Sequence, residues 1–322
     1  VIPARPTQLA RAAILFVAWI VQVPVACGGL DSYRSLLVAD EAAGPRDGRT
    51  GIRITYLGVN GYQFETGGRA LLVDPYFSRV SLWSVAFNRP LEPNPQRIVD
   101  GLSHMAHRAD AVLVTHAHFD HLLDVAAVMQ GTGAQLYSGP SAVNLAQSVG
   151  VARKRCHAIK PGDVRVIGPW TIRAFAAQHD RVIGSSPPFP GTRATPGKPP
   201  VRPSDWILGE PLAFVVEAAG KRIYIDSGGQ PTQLPPENVG PVDLAILGVA
   251  LRDSRDRFAS AVRRLQPRYI LPSHQDDFFV PASRGFTFGK LTDFPAVKRA
   301  FEQEHLKGRL ILLDYFRPWT LR

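Results

Sequence analysis

The chain has 322 residues, 45% hydrophobic and 20% charged, enough to bury a large core and unlike a disordered or collagen-like segment. Its formal net charge is +10, which commonly means a solvated basic surface and also suits anionic substrates or membrane surfaces; no Lys/Arg run is interleaved with aromatics, so nucleic acid is not an expected partner. Only two cysteines occur, Cys27 and Cys156, outside any CxxC pair, which excludes a disulfide framework.

Residues 1–26 read as an export signal. Arg5 and Arg11 give a positive start, Ala12 to Val21 an apolar centre, and Pro24-Val25-Ala26 small residues ahead of Cys27. The apolar centre is short for a spanning helix. Val25-Ala26-Cys27-Gly28 resembles a bacterial lipoprotein processing site, which makes Cys27 a lipidation candidate and leaves Cys156 as a lone thiol. The expected location is therefore outside the cytoplasm, either membrane-anchored through a lipid on Cys27 or free in the periplasm or medium. Residues 27–50 are rich in Gly and polar residues and read as a tether with one short helix through Ser32 to Ala43.

From Gly51 the pattern changes, and 51–322 reads as one domain. Ile52–Leu57, Tyr62–Thr66 and Arg69–Val73 alternate as strands, with Gly67-Gly68 as a hairpin turn. Residues 78–107 are irregular and aromatic, with a short helix expected over Ile98–His107. Ala109–Val114 reads as a buried strand and Leu122–Met129 as a helix. Strands follow at Ala134–Tyr137, Val164–Ile167 and Trp170–Ala176, with a helix at Ser141–Val149. Residues 184–205 hold seven prolines and form a long loop. Strands resume at Trp206–Leu208, Leu212–Ala218, Arg222–Ile225, Val242–Val249, Arg268–Leu271 and Leu310–Leu313, with helices at Phe258–Leu265 and Phe294–His305.

The chemistry concentrates in His116-Ala117-His118-Phe119-Asp120-His121, between an apparent strand end and a helix start, where α/β proteins gather loop side chains. An extended backbone points His116 and His118 the same way, and Asp120 and His121 then turn toward a second position. Asp120 alone would read as a helix cap; three imidazoles and a carboxylate in six residues read as metal ligands, for zinc and also manganese or iron. Strand ends recur with chemistry beyond them: Asp74 after Val73, His179 after Ala176, Asp226 after Ile225 and His274 after Leu271. Asp74 and Asp226 also suit plain turns. Phe278, Phe279, Phe286 and Phe288 flank His274 and suit either an apolar pocket or the core.

This pattern resembles the metallo-β-lactamase superfamily of hydrolases, whose HxHxDH motif is matched by His116 to His121, with Asp74, His179, Asp226 and His274 in order over residues 51 to about 315. Ile54-Thr55-Tyr56-Leu57-Gly58 and the segment from His179 to Asp226 resemble the branch of L-ascorbate-6-phosphate lactonases and N-acylphosphatidylethanolamine phospholipases D. The resemblance implies an α/β fold, an αββα four-layer sandwich with two divalent metal ions at one edge, most readily Zn2+. It implies that His116, His118 and His179 hold the first ion and Asp120, His121 and His274 the second. Asp226 would bridge them, and Asp74 would support a ligand histidine. Two close cations lower the pKa of a bound water, so that a metal-bridging hydroxide attacks a phosphodiester or lactone, with Asp120 orienting it and moving its proton. The substrate expected is a small or lipid-like molecule. The other readings are a β-lactam, ester or amide hydrolase on the same site, or a metal-binding protein of this fold without turnover.

Overall fold

The computed structural model describes residues 29–40, 51–182, 186–228, 241–289 and 292–322. The leader expected at 1–26, Cys27 and residues 41–50 of the expected tether lie outside the described residues. Among the described residues no helix is long and apolar enough to cross a membrane.

Two seven-stranded sheets make the framework. Edge to edge, the first runs Trp319–Leu321, Ile52–Gly58, Gly61–Thr66, Arg69–Val73, Ala111–Val114, Gln135–Ser138 and Cys156–Ala158. The second runs Arg309–Leu310, Tyr269–Ser273, Leu244–Gly248, Lys221–Ile225, Leu212–Ala218, Trp170–Ala176 and Val164–Ile167. Each is antiparallel on one side and parallel on the other.

The sequence makes four layers because central strands are apolar at every position, which only a strand covered on both faces tolerates. Along Arg69–Val73, Leu71 and Val73 join the core that includes Ile172, Phe214 and Ile225 of the facing sheet. Ala70 and Leu72 join the cluster that includes Ile98, Val128 and Leu145 from outer helices. Ala111–Val114 alternates the same way, Leu113 with the first cluster and Val112 with the second. The outer helices over the first sheet are Pro95–Ser103, Val125–Thr132 and Pro140–Ser148. Asn94 caps the first of them by accepting from Arg97 N–H, with Pro95 at the first helical position. Helices Arg252–Leu265 and Phe294–Gln303 cover the second sheet. The αββα sandwich expected from the sequence is thus the observed architecture.

Several local readings differ. The tether is partly domain: Leu30–Leu36 forms a 3-10 helix with Leu30 buried. Tyr33 packs edge-on against Phe288 and Phe294, and Thr320 donates to Asp40 from its N–H and hydroxyl. Apolar residues at 30, 33, 36 and 37 supply the docking face that glycine content obscured. Trp206–Leu208 is not a strand; its backbone instead links Leu208 N–H to Phe189 O and Leu208 O to Ala117 N–H, which pins the proline-rich loop beside the histidine motif. The helix expected at 122–129 is split into a turn at Phe119–Leu122 and a helix at Val125–Thr132. Asp124 sits at the break, fully buried, accepting from Phe77 N–H, Ser78 N–H and the Ser78 hydroxyl.

Candidate metal centre

All five candidate-bearing strands present their C-terminal ends to one edge of the sandwich. After Val114 the chain bends at Thr115 and runs without regular structure to His118, whose φ is −65° and ψ 157°, and then turns helical over Phe119–Leu122. His116 lies beside His118, with ring centroids 4.7 Å apart, and the helical turn carries Asp120 and His121 onward. His179 arrives from the second sheet, 4.9 Å from the His116 ring and 4.7 Å from the His118 ring. His274 lies 5.4 Å from His121, and its Nε2 is 3.2 Å from Asp120 Oδ2.

Two triads result: His116, His118 and His179, and Asp120, His121 and His274, each with ligand atoms within 4.8 Å of one another. They adjoin, since the His116 and His121 rings are 3.9 Å apart.

Most of the imidazoles are fixed through the nitrogen turned away from the centre, the arrangement that orients metal-binding histidines. His118 Nε2 donates to Pro188 O at 3.0 Å, and His179 Nδ1 donates to Asp180 O at 2.7 Å. His116 Nδ1 meets the Thr115 and Ser227 hydroxyls at 3.2 and 3.3 Å. His121 Nδ1 lies 2.8 Å from Asp74 Oδ2, which leaves His121 Nε2 buried with no hydrogen-bond partner. A buried imidazole nitrogen without a partner beside a carboxylate and a second imidazole suits a cation. The donor set therefore fits divalent ions.

Electrostatics agree. Burial, followed by the neighbouring imidazoles, holds His116 and His118 well below the usual histidine range, and burial brings His179 down to about 4. These three are neutral donors near pH 7. Burial opposes ionisation of Asp120, but His121 and His274 outweigh it and hold its carboxyl below the usual range. Burial also opposes charge on His121, and Asp120 and Asp74 outweigh that.

Asp74 works as a support, not as a member of either triad. It accepts from Asn60 Nδ2, Thr115 N–H and the Thr115 hydroxyl at 2.8, 2.8 and 2.6 Å, besides facing His121. Asp74→Ala frees the His121 ring, and metal affinity measured by chelator competition is expected to fall about 10–100-fold; unchanged affinity would remove Asp74 from this role.

Asp226 is held by protein donors. Its carboxylate forms a bidentate pair with Arg257 at 2.9 and 2.8 Å, and accepts from the Tyr224 hydroxyl, Gly228 N–H and Gly248 N–H. It belongs to neither triad. Five donors use the acceptor capacity of this carboxylate, which leaves it no lone pair for the bridging role expected from the sequence.

The sequence reading also missed Arg79. Its guanidinium donates to Asp276 Oδ2 at 2.7 Å and Asp277 O at 3.0 Å, and both side chains of the pair are buried. A Cβ on Gly58 would come within 1.9 Å of Arg79 Nη2, so glycine is required there for close approach. Asp276 also accepts from Val59 N–H, and Val59 O accepts from His274 N–H. Val59 and His274 both have left-handed backbones, φ 57° and 54°. For a β-branched residue this is strained, and here the strain aims the His274 ligand. Nothing local in the sequence marks Arg79, which lies 197 residues from its partner.

The triads open into a cavity of about 650 Å³ whose walls include Leu82, Val85, Phe189, Leu251, Phe278 and Val280. The four phenylalanines near His274 divide: Phe278 and Phe279 line the cavity, while Phe286 and Phe288 are buried in the core. Cys156 is half-buried, and burial pushes its thiol up to about 11.

Residues 53–274 match the family described as Beta-lactamase superfamily domain. The chain belongs to the metallo-β-lactamase superfamily. Within this superfamily it is 29% identical over 249 residues to a UPF0173 metal-dependent hydrolase of Rubrobacter xylanophilus, covering 72% of this chain and 86% of the relative. A relative from Heliobacterium modesticaldum with the same description is 25% identical over 241 residues, covering 70% and 84%. Among solved structures, Igni18, a metallo hydrolase from Ignicoccus hospitalis, superposes with TM-score 0.56 at 18% identity, over 85% of this chain and 99% of its own. The metallo-β-lactamase fold protein YhfI from Bacillus subtilis gives 0.55 at 13%, over 84% and 99%. The protein is a metal-dependent hydrolase of the metallo-β-lactamase fold.

Proposed function

We propose that the protein is an exported dinuclear hydrolase, most readily loaded with zinc, that uses a metal-bridging hydroxide to cleave a phosphodiester or lactone carrying an apolar group. The observation that carries this reading is the pair of adjoining triads at one end of a cavity with apolar walls. Divalent ions held there supply Lewis acidity and lower the pKa of bound water to near neutrality. The chain's own residues do the rest. Asp120 orients the attacking oxygen and takes its proton. His118 and His179, fixed through Pro188 O and Asp180 O, keep their donor nitrogens in place without rearrangement. Leu82, Val85 and Phe278 exclude water and receive the apolar part of the substrate. The basic charge of the chain and its resemblance to lactonases and phospholipases favour the phosphodiester or lactone over a β-lactam. Export by the 1–26 segment and a lipid on Cys27 would place such an enzyme at a membrane surface.

The test is elemental analysis of the protein paired with hydrolysis of bis-p-nitrophenyl phosphate. About two metals per chain and turnover abolished by chelation are the expected results. Two metals without turnover on this diester would redirect the substrate to lactones and β-lactams. No metal after reconstitution with zinc, manganese and iron would overturn the reading.

A further inference from the structure

A carboxylate between two metal ions must have a lone pair free toward each. Asp226 has the sequence position for that role and neither of its oxygens is free. Oδ1 receives Gly228 N–H, Gly248 N–H and Arg257 Nη2; Oδ2 receives Arg257 Nη1 and the Tyr224 hydroxyl. The two side chains of the ion pair are 2% and 6% exposed. Turning Asp226 toward the triads would take the bidentate partner from the buried Arg257 guanidinium, and breaking a buried pair from one side is strongly disfavoured.

We infer that Asp226 is a structural lock and not a metal ligand. This rests on the dinuclear reading above.

The lock sits where two strand ends touch. A Cβ on Gly248 would lie 2.2 Å from the Ser227 carbonyl carbon, so the 226–228 turn packs directly on the Leu244–Gly248 strand end. Asp226 fastens that contact by accepting from both Gly228 and Gly248, and Arg257, on helix Arg252–Leu265, holds Asp226 from behind. The residue carried forward by the turn is Ser227, whose hydroxyl is 3.3 Å from His116 Nδ1. Asp226 is therefore a positioning residue: it reaches the metal centre only through Ser227 and His116. The other candidate bridge is Asp180, which is buried beside Gly228, its Oδ2 3.2 Å from where a Gly228 Cβ would be. Its Oδ1 is buried with no hydrogen-bond partner among the described residues, and it lines the same cavity as the triads, so it is the carboxylate left free to face them.

The test compares zinc content, chelator-competition affinity and metal-free thermal stability in wild type, Asp226→Asn, Asp180→Asn and the double variant Asp226→Asn/Arg257→Gln. The double variant removes both charges together, so it stays interpretable where Asp226→Asn alone fails to fold. Expected are wild-type zinc stoichiometry in the folded Asp226 variants and a metal-free melting temperature roughly 10 °C lower in Asp226→Asn, largely restored in the double variant. Loss of one zinc per chain in the double variant, with metal-free stability unchanged in Asp226→Asn, would make Asp226 a ligand and overturn the inference. Loss of one zinc in Asp180→Asn alone would give the bridge to Asp180 and support the lock at Asp226. Wild type that holds one zinc, with the same content in the double variant, would support the lock and overturn the dinuclear reading instead.

Discussion

Asp120→Ala is expected to lower turnover of a chromogenic phosphodiester by about 10³-fold or more while leaving the fold intact. The loss is large because Asp120 has two tasks in the proposed site, holding one ion and moving the proton of the attacking oxygen. The fold survives because Asp120 supports nothing outside the site: its carboxylate meets His274 Nε2 at 3.2 Å and His121 Nε2 at 3.6 Å. Asp120→Asn makes the informative companion. It keeps the shape and removes the charge, so an equal loss assigns the effect to the carboxylate and not to a cavity. The measurements are kcat and zinc content with circular dichroism and melting temperature as the control. Full activity in Asp120→Ala would refute the assigned role.

The HxHxDH stretch was legible because its geometry is local. A short irregular link to His118 and one helical turn after it are enough to aim four side chains at two points. His179 and His274 were legible for a different reason: strand ends in a layered α/β fold converge on one edge, so recurrence of ligand types after apolar runs predicted their meeting. Asp226 shares that local signature, a strand end followed by a glycine turn, and the signature is ambiguous. Arg257, 31 residues further on, decides which partner the carboxylate takes. Asp124 lies in plain view four residues after Asp120, yet its role depends on Phe77 and Ser78, which no periodicity connects to it. The proline-rich loop was read as a long loop of the functional or mobile kind, without a contact to any candidate ligand. It supplies Pro188 O to His118, a backbone group with no side-chain signal.

Arg79 shows what such distant pairing is worth. Arg79→Met is expected to destabilise the protein by about 3–5 kcal/mol, the range for breaking a buried ion pair from one side. For a domain of this size that is a fall in melting temperature of roughly 10 °C. Asp276 would be left among Tyr56, Tyr62 and Tyr315, with the Val59 N–H and Tyr315 hydroxyl as its remaining donors. Burial already works against its charge, and Arg79 is the largest of the groups that hold its carboxyl below the usual range. The damage should not stop at stability. Asp276 holds Val59 N–H, and the strained Val59 carbonyl holds His274 N–H, so relaxation of this chain moves a ligand of the second triad. Zinc affinity of the folded fraction is therefore expected to fall with stability. Arg79→Met/Asp276→Leu separates the two effects. Replacing both charges by apolar groups should recover most of the melting temperature, because neither partner is left unpaired. It should not recover zinc affinity, because Val59 N–H loses its acceptor and His274 loses its aim. If the single variant melts within about 1 kcal/mol of wild type, the pair is not what joins the Gly58–Asn60 turn to the His274 loop.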